Sequence, residues 1–413
     1  MYDLFIAFKN SHLFAQVLHT IVVLAPIWIP LFFALLWFDF WMHFKRREYI
    51  KALGGVLLEI KIPREILKSP ASMEIFMNAL HQPSVGNLID VYFKGKVRAW
   101  FSLELVSLGG EVHFYIWTHP KFKNIIEAQL YAQFPNIEVH ETNDYSMNVH
   151  HNPEKTTFGW IGQFALTKAD AYPIKTYIDY GLDKDPKEEY KNDPIVPTLE
   201  FLGSLKKGEQ AWIQILVQAH VKEGIKYGRI AVKPDWKSGV EKEIKEILKK
   251  GMMKTEDEKK TSYLNLSTSQ KDIIGAMERT VAKPAFDTMI RAAYISDKET
   301  FNPNNIGGLL GSFKQFGSNS LNGFKPGWGA AYDYPWQDFR GRNKLRNEKK
   351  LLEAYKRRSF FNTPFKHMHG KPFILTSEEL ATLWHFPSFI VASTPTLTRL
   401  PSKKAEAPSN LPI

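Results

Sequence analysis

The sequence predicts an α+β protein in which one membrane-spanning helix is followed by two β-α-β-β-α-β units. Three observations support this fold class. A stretch near the N-terminus is almost entirely apolar, and strand and helix patterns then follow twice in the same order. The chain of 413 residues is also long enough for two domains of about 150 residues each beside an anchor.

The composition narrows the class of protein before any motif is considered. Because the chain has no cysteine, it cannot form disulfide bonds, a thiolate zinc site, an iron–sulfur cluster or a cysteine nucleophile. The 54 basic and 43 acidic residues give a net charge of +11, which favours contact with an anionic surface, either phospholipid or nucleic acid. Aromatic residues make up 14% of the chain, a content that excludes a largely disordered protein.

The apolar stretch extends from Val17 to Met42 and contains no charged residue between Ile21 and Phe38. Because a bilayer core of about 30 Å requires about 20 helical residues, this stretch is long enough to cross a membrane. It predicts a transmembrane helix at residues 17–44, preceded by a short extracytoplasmic N-terminus at residues 1–16. A buried helix of a soluble protein rarely lacks charge over so long a run. The residues expected to form the membrane anchor are Ile21, Trp28, Phe32, Leu36, Trp37 and Trp41.

The orientation of this helix follows from the charges beside it. The juxtamembrane basic residues that follow it are Lys45, Arg46, Arg47 and Lys51. Since only Lys9 precedes it, the positive-inside rule predicts a single-pass protein of the cell membrane with the bulk of the chain in the cytoplasm. A cleaved signal peptide fits poorly, because the basic residues follow the apolar run and no small-x-small cleavage site is present. Pro26 and Pro30 predict a kink.

Residues 53–145 are predicted to form the first domain. Its predicted elements are a strand at 56–62, a helix from Ser69-Pro70, strands at 97–106 and 111–117, a helix from Pro120 and a strand at 136–141. Alternating apolar residues indicate the strands, and apolar residues three and four apart indicate the helices. Ser69 favours the N-cap position and Pro70 the first helical position. The order β-α-β-β-α-β is that of the ferredoxin-like fold.

A second ferredoxin-like domain is predicted at residues 160–385. Its predicted elements are a strand at 172–179, a helix at 194–205, strands at 210–220 and 285–296, a helix at 303–316 and a final strand at 359–361 or 372–375. A charged insertion at residues 222–280 separates its central strands, and apolar residues at helical spacing from Val240 to Leu248 predict a helix within it. Residues 317–345 are expected to form an irregular loop, 344–358 a basic helix and 386–413 an extended connector tail.

No pattern typical of an active site is found, so the protein is not expected to be an enzyme. The phosphate-binding pattern G-x-x-x-x-G-K-[ST] is absent, since Val97 and Pro372 follow the two Gly-Lys pairs. None of the 13 histidines has H-E-x-x-H spacing. The adjacent Glu378 and Glu379 are explained by the dipole at the start of a helix. We therefore expect no catalytic residues, no cofactor and no metal.

Aromatic and basic residues alternate between residues 328 and 346. Such a pattern can stack the bases of a single strand and neutralise its phosphates. The candidate nucleic-acid contacts are Trp336, Arg340, Arg342, Lys344 and Arg346. The alternative is that the aromatic side chains pack inside an ordered loop while the basic side chains are solvated.

Several stretches of the chain resemble one family of membrane-anchored motors. They include SPASME at 69–74, WFSLELVSLGGEVHFYI at 100–116, EAQLYAQFP at 127–135, and the stretches at 176–185, 199–216, 375–387 and 405–412. These resemble the N-terminal, pre-motor region of HerA/FtsK-type ATPases of type IV secretion and conjugation-like systems in candidate-phylum bacteria. The last stretch is similar to the connector into the motor domain, and the nucleotide-binding residues of the family have no counterpart in this chain.

The resemblance implies a membrane-anchored, non-catalytic adaptor that docks a separately encoded translocation ATPase, and it is compatible with a homo-oligomeric ring. A copy that has lost its motor is the other explanation. The candidate residues for docking the motor are Leu375, Trp384, Phe386 and Leu411. The alternative function is a membrane-tethered nucleic-acid-binding protein that uses the basic and aromatic residues at 328–358.

Overall fold

The computed structural model describes residues 12–63, 68–152, 154–183, 192–222, 224–227, 235–251, 266–330, 332 and 334–387. The α-helices in these ranges are α1 (His12–Val23), α2 (Ala25–Leu53), α3 (Pro70–Leu80), α4 (Leu88–Tyr92), α5 (Lys123–Gln133), α6 (Val196–Gly203), α7 (Trp236–Gly251), α8 (Thr268–Val281), α9 (Asn304–Gly311), α10 (Arg342–Lys356) and α11 (Ser377–Leu383). The strands are β1 (Val56–Lys61), β2 (Trp100–Leu108), β3 (Glu111–Thr118), β4 (Glu138–Thr142), β5 (Thr156–Leu166), β6 (Glu209–Ala219), β7 (Ala285–Asp297), β8 (Phe324–Gly329) and β9 (Phe373–Thr376).

The chain groups into two compact units. The first unit contains residues up to Ala52 together with Gly86–Val97, and the second contains Leu53–Val85 and the chain from Arg98 onward. The first unit holds α1, α2 and α4, and the second holds the sheet and the other helices. The fold is therefore mixed α+β, with one apolar N-terminal helix and an antiparallel sheet.

Helix α2 is 29 residues long, and its length and apolar composition are sufficient to cross a membrane. It continues past the predicted end of the span at residue 44, so the basic residues lie on the same helix. A turn at Leu24 separates α1 from α2 just before Pro26, whereas Pro30 lies inside the continuous helix α2. Beside this turn, the Trp28 indole N–H donates to the carbonyl of Ile21 at 2.9 Å.

The strands in the described ranges form one sheet in the order β4-β1-β3-β2-β6-β7-β5-β8, with β9 also paired to β7. Every neighbouring pair is antiparallel. Strands β2 and β6 pair from Trp100↔Gln218 to Leu108↔Gln210, so the segments predicted as two domains share a continuous sheet. From this junction to the edge of the sheet, the order is β2-β3-β1-β4 in one half and β6-β7-β5-β8 in the other. Both halves therefore place their second, third, first and fourth strands in the same order.

The two faces of the sheet are covered by different helices. Side chains of α3, α5, α6, α9 and α11 share one buried cluster with strand residues such as Leu105 and Ile213. The adjacent strand residues Val106 and Trp212 belong to a second cluster, which contains Leu351 and Tyr355 of α10. Because successive strand residues point to opposite faces, the sheet is buried on both sides.

Three elements of the second half differ from the prediction. Residues 172–179 form turns instead of a strand, and the strand of this half is β5, which begins upstream at Thr156. The predicted helix at 303–316 is shortened to α9 and a following turn of 3-10 helix. The outer strand is β8, within the predicted irregular loop, where Pro326 and two glycines mask the strand pattern. Of the two predicted final strands, 372–375 corresponds to β9.

The helix predicted in the charged insertion is confirmed as α7. Its Val240 packs against Met277 of α8, which the sequence pattern did not indicate. The predicted basic helix is also confirmed, as α10, and Ser69 caps α3 with Pro70 in its first turn. The helix that begins beside Glu378 and Glu379 is α11.

Candidate docking surface

The residues predicted to form the anchor lie on the two consecutive N-terminal helices. Ile21 is on α1 and the other five are on α2, and all of them except the half-buried Trp41 are exposed. The rings of Trp37 and Trp41 stack at 5.6 Å. The predicted basic residues Lys45, Arg46, Arg47 and Lys51 occupy the C-terminal part of α2. The geometry suits insertion of the apolar part of α2 in lipid, with cations at one end.

A second set of exposed side chains lies before and at the start of α10. We call it the aromatic–basic surface, and it consists of Tyr332, Tyr334, Trp336, Phe339, Arg340, Arg342, Lys344 and Arg346. Trp336 is 74% exposed and Phe339 is 88% exposed. The rings of Tyr334 and Trp336 stack at 4.5 Å with an interplanar angle of 9°. The alternative in which these aromatic side chains pack inside the loop is therefore wrong for Trp336 and Phe339.

The start of α10 holds this surface in a defined conformation. The carboxylate of Asp338 accepts the backbone N–H groups of Asn343 at 3.2 Å and Lys344 at 2.7 Å. Gly341 lies between them with a φ of +65°, a conformation that costs little only for glycine. The hydroxyl of Tyr332 accepts a hydrogen bond from Asn347 at 2.8 Å. The chain before the helix is thus tied to its first turns.

The C-terminal end of α10 is fixed by a buried ion pair. Nε and Nη2 of Arg358 each donate to a different oxygen of Glu104 on β2, at 3.0 Å in both cases. Arg358 also donates to the carboxylate of Asp144. The hydroxyl of Tyr145 donates to Glu104 at 2.7 Å and lies 2.8 Å from the hydroxyl of Tyr355. The aromatic–basic surface therefore stands on a helix that polar contacts attach to the centre of the sheet.

The protonation states of this buried group follow from its contacts. Burial alone lowers the pKa of Arg358, but the Glu104 and Asp144 carboxylates outweigh it and raise the pKa well above the usual arginine value. Burial raises the pKa of Asp144, and the guanidinium of Arg358 more than offsets this, so that the pKa is lowered. Burial also raises the pKa of Tyr145 well above its usual value. The arginine and Asp144 are thus charged and Tyr145 is neutral near neutral pH.

Three of the four residues predicted to dock a motor are in the core. Leu375 and Trp384 are fully buried, and Phe386 is buried between Phe114 at 5.4 Å and Phe134 at 5.0 Å. A partner cannot reach these side chains, because they belong to the buried cluster between the sheet and helices α3, α5, α6, α9 and α11. The prediction that they form a docking surface is corrected to a packing role. Leu411 lies outside the described residues.

The adjacent glutamates of α11 have a structural role. Glu379 caps the helix, since its carboxylate accepts the backbone N–H of Thr376 at 2.8 Å and that of Ile174 at 3.0 Å. Burial raises its pKa to about 7. Glu378 forms ion pairs with Arg279 at 3.1 Å and with Lys283 at 2.9 Å. These contacts attach α11 to α8 and to the chain after β5.

A cavity of about 370 Å³ with a mixed polar and apolar lining lies near the end of β6, where β7 pairs with β9. On its wall, the Nδ1 atom of His220 is 2.7 Å from a carboxylate oxygen of Asp287, and Arg98 donates to the other oxygen at 3.0 Å. Burial raises the pKa of Asp170 on the same wall to about 6. Lys222 and Lys371 add two further cations to the lining. Arg98 and Asp287 are 189 residues apart in the chain, so no sequence spacing indicated this cavity.

Among the residues that the structure describes, the lining of the cavity does not contain a complete set of hydrolytic residues. Asp287 fixes one ring nitrogen of His220, which is how a histidine base is oriented in many enzymes. No serine, threonine, cysteine or tyrosine is among the lining residues of the described chain. The described ranges also contain no group of three or more histidine, aspartate, glutamate or cysteine residues able to hold a metal ion.

A family assignment follows from comparison with known proteins. Residues 51–396 match the family model described as Domain of unknown function (DUF8128). The chain belongs to this family. No curated protein matches the chain.

The DUF8128 match covers the parts of the chain with defined geometry. It includes the sheet, the buried Glu104–Arg358 pair, the cavity and the whole aromatic–basic surface. It begins at residue 51, so the apolar part of α2 precedes the matched region. The matched region therefore contains the whole described part of the sheet unit and also the 86–97 segment of the N-terminal unit.

Proposed function

We propose that the protein is a membrane-anchored, non-catalytic docking subunit for a translocation ATPase of the type IV secretion or conjugation kind. The observation that carries the proposal is the aromatic–basic surface. Trp336 and Phe339 are exposed beside four cations, just before and at the start of a helix that is fixed to the sheet. Exposed aromatic side chains next to arginines are typical of surfaces that bind a partner, because they provide contact area at a low cost in entropy.

The anchor in this proposal is α2. Its apolar side chains are exposed and its C-terminal part carries the basic residues, which supports a single pass with the sheet unit in the cytoplasm. Only Gly54 and Gly55 separate α2 from β1 in the chain. The chain thus passes from the proposed anchor into the sheet unit through a link of two glycines.

The choice of partner rests on the resemblance to pre-motor regions of traffic ATPases. We also propose that each half of the sheet is a ferredoxin-like unit, and the matching strand order of the two halves supports this. Since Trp384 and Phe386 are buried, we place the docking contacts on the aromatic–basic surface instead of on the C-terminal segment.

A binding assay with defined components tests this proposal. The full chain in lipid nanodiscs is titrated with each purified HerA/FtsK-type ATPase of the source organism. We expect the double variant Trp336→Ala, Phe339→Ala to bind the cognate ATPase at least tenfold more weakly than the unchanged chain. The matched control is Ile75→Ala, which removes an exposed apolar side chain (52% exposed) from α3. Equal binding by both variants, or no binding to any of these ATPases, contradicts the proposal.

Nucleic-acid binding is the second candidate, and the stacked pair Tyr334 and Trp336 favours it. Stacked exposed rings followed by Arg340, Arg342, Lys344 and Arg346 can hold a single strand by base stacking and phosphate contacts. Fluorescence anisotropy with a single-stranded oligonucleotide at several salt concentrations tests it. If all four cations contact phosphates, log K falls with log salt with a slope of about −3. Binding without salt dependence, or no binding at low salt, excludes this function.

A further inference from the structure

The segment Gly86–Val97 groups with the N-terminal unit, although it lies in the chain between elements of the sheet unit. It contains the short helix α4. A reciprocal capping box begins this helix: Asp90 N–H donates to the Asn87 side chain at 2.8 Å, and Asn87 N–H donates to the Asp90 carboxylate at 3.4 Å. The segment is thus an ordered element of its own and is packed against α2.

Its contacts follow one face of α2 over about two turns. The ring of Tyr92 packs against Phe38 at 5.8 Å, and the Trp41 indole N–H donates to the carbonyl of Tyr92 at 2.9 Å. Further along α2, Gly95 lies against the backbone of Lys45. Any Cβ at this position would overlap the Lys45 carbonyl, and the φ of Gly95 is +71°. Only glycine allows this approach without strain.

The segment exposes large apolar side chains beside the part of α2 that extends from Phe38 to Lys45. Leu88 is 53%, Ile89 61% and Phe93 65% exposed. On α2 between Trp37 and Lys45, the exposed large apolar residues are Trp37, Phe40 and Phe44, and the charged Asp39 is exposed among them. Soluble surfaces rarely expose so many large apolar side chains together, and a contiguous group of this kind indicates a protein or membrane contact.

The level of these side chains matches the edge of a bilayer. Phe38 is the last residue of the uncharged run, and Lys45 is the first of the basic residues that follow. At a rise of 1.5 Å per residue, the distance between them along α2 is about 10 Å, enough to pass through a headgroup layer of about 5–8 Å. Residues 37–53 and 86–97 together contain six lysines and arginines and three acidic residues. This excess of positive charge complements anionic headgroups.

We propose that the 86–97 segment is a second membrane-contacting element, which lies in the headgroup layer beside α2 and inserts Leu88, Ile89 and Phe93 into a phospholipid bilayer that contains anionic lipid. The proposal rests on the membrane anchoring by α2 proposed above and extends it. A single helix fixes only a point on the membrane, and rotation about its axis is unrestricted. A second contact off that axis fixes the rotation of the N-terminal unit relative to the bilayer.

The absence of cysteine allows a direct test on the full chain. The variant Phe93→Cys is labelled with an environment-sensitive fluorophore and reconstituted into vesicles of three parts phosphatidylcholine to one part phosphatidylglycerol. A lipid with a spin label near the headgroup serves as the quencher. We expect blue-shifted emission and at least a twofold loss of intensity with the quencher. The control variant Ile75→Cys has a label on the sheet unit, at a side chain of similar exposure (52%), and we expect no quenching.

A third label separates this inference from the anchor. The variant Leu36→Cys has its label on the uncharged part of α2 and is tested with a quencher near the bilayer centre. If the Leu36 label is quenched while the Phe93 label behaves like the Ile75 label, the inference is wrong and the anchor stands. If neither the Leu36 nor the Phe93 label is quenched, the anchor itself is wrong. Quenching of both, with none at position 75, supports the inference, and quenching at position 75 as well overturns its specificity.

Discussion

Arg358 and Glu104 form a bidentate ion pair at 3.0 Å, although 254 residues of chain separate them and both side chains are fully buried. The pair joins the chain after α10 to the central strand β2. Because both groups are shielded from water, each charge is compensated by the other, and removal of one partner would leave an uncompensated charge in the interior. The pair thereby fixes the position of the helix that bears the aromatic–basic surface.

We predict that Arg358→Met lowers the free energy of unfolding by about 3–5 kcal/mol, since it leaves the Glu104 carboxylate buried without its partner. Denaturant unfolding of the full chain, followed by tryptophan fluorescence, measures the change. The matched control is Arg357→Met, because Arg357 is exposed and its ion pair with Glu353 at 3.5 Å is a surface contact. We expect less than about 0.5 kcal/mol for the control. If Arg358→Met lowered the free energy of unfolding as little as the control does, the buried pair would not be important for stability.

A second prediction distinguishes packing from docking at the C-terminal end of the described chain. Trp384 is fully buried whereas Trp336 is 74% exposed. Trp384→Ala should lower the free energy of unfolding by about 3–5 kcal/mol because it creates a core cavity. Trp336→Ala should leave stability within about 0.5 kcal/mol. Circular dichroism during thermal unfolding compares them. If Trp384→Ala were as stable as the unchanged chain but no longer bound the ATPase, Trp384 would have a docking role after all.

The third prediction concerns pH. Burial raises the pKa of Asp170 from 3.8 to about 6, so the folded protein holds this proton more tightly than the unfolded chain. The stability linked to this group is fully present below pH 3.8 and is lost as the pH rises through about 6. Asp170→Asn should therefore gain stability relative to the unchanged chain between pH 5 and pH 8, by about 1 kcal/mol.

Denaturant unfolding of both proteins at pH 5 and pH 8 measures this difference. Comparison of the two chains cancels the titration of groups that they share, including His220 and Asp287, which influence Asp170. The stability difference must change with pH in the stated direction. A constant difference, or one that favours the unchanged chain at pH 8, would show that the pKa of Asp170 is not raised in the folded protein.

The fourth prediction concerns the contact between Gly95 and α2. Gly95→Ala places a methyl group against the Lys45 backbone and should displace the 86–97 segment. In vesicles, the label at Phe93→Cys should then lose at least half of its quenching. Gly181→Ala is the control, because Gly181 has a similar φ of +69° but no atom within 4 Å of an added Cβ. Unchanged quenching in Gly95→Ala would mean that the segment does not depend on this close approach.

The parts of the fold that could be predicted from sequence depend on local signals. Ser69 and Pro70 mark the start of α3, and apolar residues from Val240 to Leu248 mark α7. The error at β8 has a physical reason, because Pro326 and the glycines of this strand are disfavoured in strands and pairing with β5 overrides that preference. Local pattern cannot reveal such tertiary pairing.

The candidate sites show the same division. The aromatic and basic residues near α10 could be found because they are neighbours in sequence, but their exposure could not. The Arg98–Asp287–His220 contacts and the Arg358–Glu104 pair unite residues that are far apart in the chain. Nothing in the spacing of these residues marks them as partners. The burial of Trp384 and Phe386 was likewise hidden, since an aromatic residue near a helix end fits a core and an interface equally well.

The order of the sheet has a consequence for self-assembly. In the described chain that order ends at β4 and β8, whose outer edges lack a neighbouring strand. Strand β4 exposes Glu138 and His140, and β8 contains Pro326, which has no N–H to offer. Charged side chains and proline at an edge oppose the addition of another strand. If copies of this chain gather around a motor, the β4 and β8 edges therefore favour contacts through side chains over the joining of two sheets.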